Sequence, residues 1–140
     1  MTGTDTRLTA AEANAILAEH FAPWVQDLGL VVEEVAKGVA TLRLPWSERL
    51  ARQGGSLSGQ ALMAVADTST VIAICAAREG FGPMTTVQQS TTFQRAVIGV
   101  DVLATARVTK LGRSLAFTDI TMSAGGDVAA HATNVYALLG

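Results

Sequence analysis

Cysteine and histidine are scarce in this chain of 140 residues, which has one cysteine, Cys75, and two histidines, His20 and His131. A lone thiol excludes an internal disulfide and a cysteine-ligated metal site. The two histidines lie far apart and lack the short spacing of a zinc motif, so no metal is expected. Charge is also thin. Charged residues make up 16%, and ten Lys and Arg against twelve Asp and Glu leave a formal charge of −2. No basic stripe exists that would displace counterions, which excludes the nucleic-acid-binding class. Only three prolines occur, Pro23, Pro45 and Pro83, and each reads as an element boundary. The N-terminal MTGTDTRLTAAEANA has no basic start followed by an apolar run, so no signal peptide is read. The apolar run Leu57–Ala77 approaches the length of a bilayer span, yet it carries Gln60, Asp67 and several hydroxyl residues. It reads as a buried helix of a protein with no membrane partner.

Hydrophobic residues, at 49%, are abundant enough to offset the entropy of ordering the chain. One folded domain over 1–140 is expected, ordered except at its N-terminal tip, in a reducing cytoplasm. Thr9 followed by Glu12 fits a capping box and opens a short helix over about 9–20. Phe21–Gly29 contains Pro23 and reads as an irregular connection or single turn. LVVEEVAKGVATLRLP reads as two strands turning at Ala36-Lys37-Gly38, followed by a loop from Trp46 to Leu57. Ser58 is placed as an N-cap, and the central helix runs over about 58–79 until Gly80, Gly82 and Pro83 stop it. MTTVQQSTTFQ, VDVLATARVTKL, SLAFTDITM and VAAHATNVYALL read as four strands of an antiparallel meander. A helix apolar on most faces requires enclosure, so an antiparallel sheet of about six strands wrapped round it gives an α+β fold.

Between Gln53 and Ala77 the only ionisable side chain besides Cys75 is Asp67, midway along that helix. An isolated carboxylate among apolar residues is costly, so it is paired or faces a cleft. Its plain reading is a capping or ion-pairing residue, with Arg52, Arg95 or Arg113 as partner; its functional reading is a base or nucleophile. Upstream, Gly54-Gly55-Ser56-Leu57-Ser58-Gly59-Gln60 brings a flexible backbone to a helix N-terminus, whose free N–H groups can face an oxyanion. Gly59 and Asp67 are separated by roughly 12 Å of helix rise. One helix therefore cannot offer both to a single carbonyl, whereas two antiparallel copies can, so an active site here is expected between subunits.

The segment Gly55–Asp67, GSLSGQALMAVAD, resembles the G-x-x-H-G-G-x-x-x-x-L-x-D signature of hotdog-fold acyl-CoA thioesterases of the PaaI-like type. The resemblance extends over about residues 30–140, including the Lys110-Leu111-Gly112-Arg113 hairpin. It implies a hotdog domain that assembles as a homodimer or homotetramer and needs no cofactor, coenzyme A entering as part of the substrate. It also implies that Asp67 is the catalytic carboxylate, that Gly59 N–H polarises the thioester carbonyl, and that Thr86, with Thr85 next to it, helps hold the attacking water. Ser58 stands where the family has histidine, Gln60 where it has a second glycine, and Arg52 where an Asn is frequent. Ser58, Gln60 and Arg52, with Lys110 and Arg113 toward the phosphates, are the candidate substrate contacts.

The expected activity is hydrolysis of an acyl- or aryl-CoA thioester to free acid and coenzyme A. The rival is a non-catalytic acyl-CoA binding or sensing protein on the same fold. A hydratase ranks third, because neither His20 nor His131 sits in the required Asp-His motif. Cys75 reads as a small core residue, and Trp24 and Trp46 as packing residues or walls of an acyl pocket. His131 reads as a surface or pairing residue.

Overall fold

In the computed structural model, residues 7–140 are described, and the readings made for the N-terminal tip lie outside them. Helix α1 covers Ala10–His20 and begins with the capping box, Thr9 accepting from Glu12 N–H while Glu12 reaches back to Thr9 N–H. It buries Ala13, Ile16 and Leu17. The stretch around Pro23 is the single turn α2, Pro23–Gln26. Strands β1, Val31–Ala36, and β2, Val39–Leu44, form the expected hairpin. Helix α3 spans Gly59–Arg78, with the Ser58 hydroxyl accepting from Ala61 N–H at 3.2 Å. Its end differs from expectation. The left-handed position belongs to Glu79, at φ 63°, whose N–H and that of Gly80 both reach the Cys75 carbonyl.

Strands β3, Met84–Phe93, β4, Val102–Leu111, β5, Leu115–Ala124, and β6, Asp127–Leu138, complete one six-stranded antiparallel sheet in the order β1-β2-β4-β5-β6-β3. The four-strand meander is corrected in one respect. β4, β5 and β6 are successive neighbours, but β3 pairs with β6 and not with β4. Gln94–Asp101 is too long for a hairpin turn, and it buries Val97 while carrying the chain between strands that do not pair.

The inner sheet face is built from small residues: Ala104 and Ala106 of β4, Ala116 of β5, Ala130 and Ala132 of β6, all fully buried. Short side chains let the sheet close round α3, which fills the space with Val65, Ile72 and Ile74. From Thr68 to Ala76 every α3 residue is buried. This is the one described helix long and apolar enough to cross a membrane, and 72% of that stretch lies inside the molecule. Nearer its N-terminus a stripe is only partly covered: Gln60 and Met63 are exposed, and Gly59, Ala64 and Asp67 are half-buried.

The two sheet edges are treated differently. Along β1 the Asn14 side chain of α1 donates to the Val32 carbonyl and accepts the Val32 N–H, at 3.0 and 2.9 Å, filling the place of a neighbouring strand. The outer edge of β3 has no such cover among the described residues, and Thr85, Thr86, Val87 and Gln88 are all exposed.

Cys75 is wholly enclosed, and desolvation pushes its thiol from 9.0 up to about 11. The protonated thiol therefore contributes stability that is present below pH about 9 and lost as pH rises toward its folded value. At mildly alkaline pH a thiol-reactive dye is expected to label Cys75 only as fast as the protein unfolds; labelling at the rate of a free thiol contradicts this burial.

Candidate active site

Asp67 is half-buried near the middle of α3, and three donors converge on its Oδ1. The Tyr136 phenol of β6 donates at 2.6 Å, the Thr86 hydroxyl of β3 at 3.0 Å, and the Asn134 amide of β6 approaches at 3.5 Å. Among the described residues no hydrogen bond reaches Oδ2. Behind this cluster Asn134 donates to Thr70 Oγ1 at 2.9 Å, and the Thr70 and Thr118 hydroxyls lie 3.1 Å apart. The carboxylate is thus met by neutral hydrogen-bond donors and not by Arg52, Arg95 or Arg113, which settles how its burial is compensated.

Strand register explains the convergence. Thr86 is paired with Tyr136, and a bulge at Val87 shifts the register so that Gln88 opposes Val135. Alternation then turns Thr86 toward the helix beside Tyr136, and Thr85, paired with Ala137, toward the other face. Beyond the bulge, Gln89 donates to the Met63 carbonyl at 3.3 Å. Phe93 closes over the start of α3, where a Cβ on Gly59 would come within 3.3 Å of its ring.

Ser58, Gly59 and Gln60 are together at the α3 N-terminus, with Arg52 on the preceding loop lining the same groove as Gly59. Within one chain this group and the Asp67 cluster lie two helical turns apart, as the spacing predicts. The Ser58 hydroxyl is used as the helix cap. Lys110 and Arg113 sit at the β4–β5 turn, both exposed, and the structure does not join them to either group. His131 is paired with Asp119 on the far face of the sheet, away from Asp67. His20 stacks on Phe81 with ring centroids 4.0 Å apart. Trp24 is 62% exposed, whereas Trp46 packs against the core. Among the described residues no group of three or more His, Cys, Asp or Glu is placed to hold a metal.

Tyr136 and Asn134 were not anticipated from the sequence. A tyrosine and an asparagine in an alternating strand carry no local signal, and only the β3–β6 pairing brings them to Asp67.

A six-stranded antiparallel sheet wrapped on a long central helix defines a hotdog-fold protein. The thioesterase superfamily model matches residues 54–130, more than half the chain, and the chain belongs to that superfamily. Its structure resembles zebrafish thioesterase superfamily member 2 at 27% identity and TM-score 0.84, covering 94% of this chain and 99% of that one. The PaaI protein of the Escherichia coli phenylacetic acid degradation operon shares the fold at 20% identity and TM-score 0.81, over 95% and 97% of the two chains. A mutant of the phenylacetic acid degradation protein PaaI from Thermus thermophilus matches at 25% identity and TM-score 0.76, over 84% and 100%. No curated protein matches the chain in sequence. Membership supports thioester hydrolysis in general.

Burial, followed by the Asp67 charge, raises the Tyr136 phenol above its ordinary value, so it remains a donor. The chain has one tyrosine, so tyrosinate absorbance reads Tyr136 alone. The folded protein is expected to show none at pH about 10, where an ordinary phenol is half ionised. Half-ionisation of the native protein near that pH contradicts the bond. Because the folded value is the higher one, this contribution to stability is present below pH about 10 and lost above it, a slope that Tyr136→Phe removes.

Proposed function

We propose that this protein hydrolyses acyl-CoA thioesters at sites formed between two copies of the chain. The observation that carries the reading is the partly covered stripe on α3, exposed Met63 between half-buried Gly59 and Asp67, beside the open edge of β3. Met63 lies midway between the other two. A two-fold axis passing at Met63 sets antiparallel helices so that Gly59 of the partner subunit faces Asp67, and the reverse. Met63 is 44% exposed and Val87 57% exposed, apolar surface that such pairing would cover.

In that arrangement the thioester carbonyl oxygen accepts from Gly59 N–H of the partner subunit, strengthened by the positive end of its helix. Asp67 Oδ2 takes a proton from water as the water oxygen attacks the carbonyl carbon. Collapse of the tetrahedral intermediate breaks the C–S bond, and the departing sulfur takes the proton held by Asp67, which leaves coenzyme A as the thiol and restores the carboxylate. Tyr136, Thr86 and Asn134 hold Oδ1 and so orient Oδ2. Thr86 can also accept from the same water, since its own proton goes to Asp67. The acid product and coenzyme A then dissociate.

One observation favours the non-catalytic reading. Ser58 replaces the histidine of the resembling proteins, and its hydroxyl is already committed to capping α3. Under that reading acyl-CoA would bind without turnover.

A complementation experiment tests the shared site. Gly59→Val crowds the oxyanion position and Asp67→Asn removes the base, so each homodimer is expected to be inactive. In an equal mixture half the dimers are mixed, and in each of those one site carries both lesions and the other none. Recovery of about a quarter of wild-type activity is expected from this two-fold arithmetic. No recovery, with mixed dimers demonstrated, contradicts a site built from two chains.

A further inference from the structure

Two grooves flank the α3 N-terminus, one lined by Ser58 and Gln60 and the other by Gly59, and their chemistry differs. The first, about 320 Å³, lies against Trp24 and Leu28 on one side and Leu50 and Ala61 on the other. Its charged residues, Asp27 and Arg49, are one of each sign, so it carries no net charge. The second, about 340 Å³, is lined by Gly59, Leu62 and Phe93 together with two cations, Arg52 and Arg95, and no acid. The Arg52 guanidinium donates to the Gln53 carbonyl, at 3.1 Å, and so keeps its charge uncompensated within this groove. Arg95 meets Asp127 at 3.8 Å in a well-solvated pair, a contact of little strength that a multiply charged anion would outcompete.

A thioester whose carbonyl rests on Gly59 N–H has two arms leaving that point in different directions. One arm of an acyl-CoA is neutral and apolar; the other ends in phosphates. We propose that the two grooves divide the substrate, the phosphate-bearing arm lying along Arg52 and Arg95 and an uncharged, apolar acyl group lying against Trp24. Trp24 is then the residue that sets acyl specificity. It is 62% exposed on a four-residue turn and supplies the largest apolar side chain of that groove. Charge decides the polarity of binding: phosphates in the neutral groove would forgo both arginines, and an alkyl chain in the cationic groove would strip water from them. This assignment rests on the thioester reading above, and it also names Arg95, which lies outside the signature segment.

The test uses acetyl-CoA and octanoyl-CoA beside the matching N-acetylcysteamine thioesters, which lack phosphates. Trp24→Ala is expected to lower kcat/KM about tenfold on both octanoyl thioesters and far less on both acetyl ones. The double variant Arg52→Glu/Arg95→Glu is expected to raise KM about tenfold on both CoA thioesters, in a salt-dependent way, and far less on the N-acetylcysteamine pair. A Trp24 effect of equal size on acetyl and octanoyl groups, or an arginine effect that follows chain length instead of phosphate, overturns the assignment. If the wild type hydrolyses none of these thioesters, the reaction reading fails and binding decides the assignment separately. The chain has two tryptophans, so in Trp46→Phe the fluorescence comes from Trp24 alone. Octyl-CoA thioether, which cannot be hydrolysed, is expected to shift that emission while coenzyme A alone leaves it unchanged. No shift with bound octyl-CoA overturns the assignment.

Discussion

A carboxylate in the middle of an otherwise apolar helix is the constraint on which the rest of this structure depends. Removing such a group from water costs several kcal/mol unless hydrogen bonds replace the lost hydration. Here the replacement comes from strands that are distant in sequence, Thr86 on β3 and Tyr136 and Asn134 on β6. They reach one carboxylate oxygen only because β3 crosses to the far edge and pairs with β6. Strand order, the bulge at Val87 and the orientation of Asp67 are therefore one device. A neutral donor set suits a base better than an arginine would, because it holds the charge without neutralising it.

The two edges of the sheet show the same economy. Asn14 covers β1 at Val32 by imitating a strand. β3 is left open beside the partly covered stripe of α3. An open edge and a partly covered helix stripe on the same side, with a glycine and a carboxylate placed symmetrically about Met63, form a surface suited to a second copy of itself. On this reading dimerisation completes the chemistry.

Much of the architecture was legible in the sequence because it is written in local patterns. The capping box at Thr9 and Glu12, the Ser58 cap, the long apolar helix and the alternation in β4 each follow from short-range physics. Asp67 stood out because it was the only carboxylate in that helix, and the structure surrounds it with donors. The resemblance points to Thr86 with Thr85 next to it, and strand pairing places Thr86 facing the helix and Thr85 away. The crossing of β3, and with it Tyr136 and Asn134, depended on pairing between segments about fifty residues apart, for which neighbouring residues carry no signal. The hairpin tip with Lys110 and Arg113 illustrates the converse, since within one chain this basic pair stands apart from both the Asp67 cluster and the α3 N-terminus. The uncovered part of α3 was likewise hidden, because an exposed apolar residue such as Met63 reads in sequence like one in the core.

The central claim is that Asp67 hydrolyses a thioester, and thiol release measures it most directly. Wild type and Asp67→Asn would be compared on a panel of short, long and aryl acyl-CoAs. Turnover by the wild type that falls about a hundredfold or more in the variant is the expected result. Undiminished turnover in Asp67→Asn, or none by the wild type on any thioester, would contradict it.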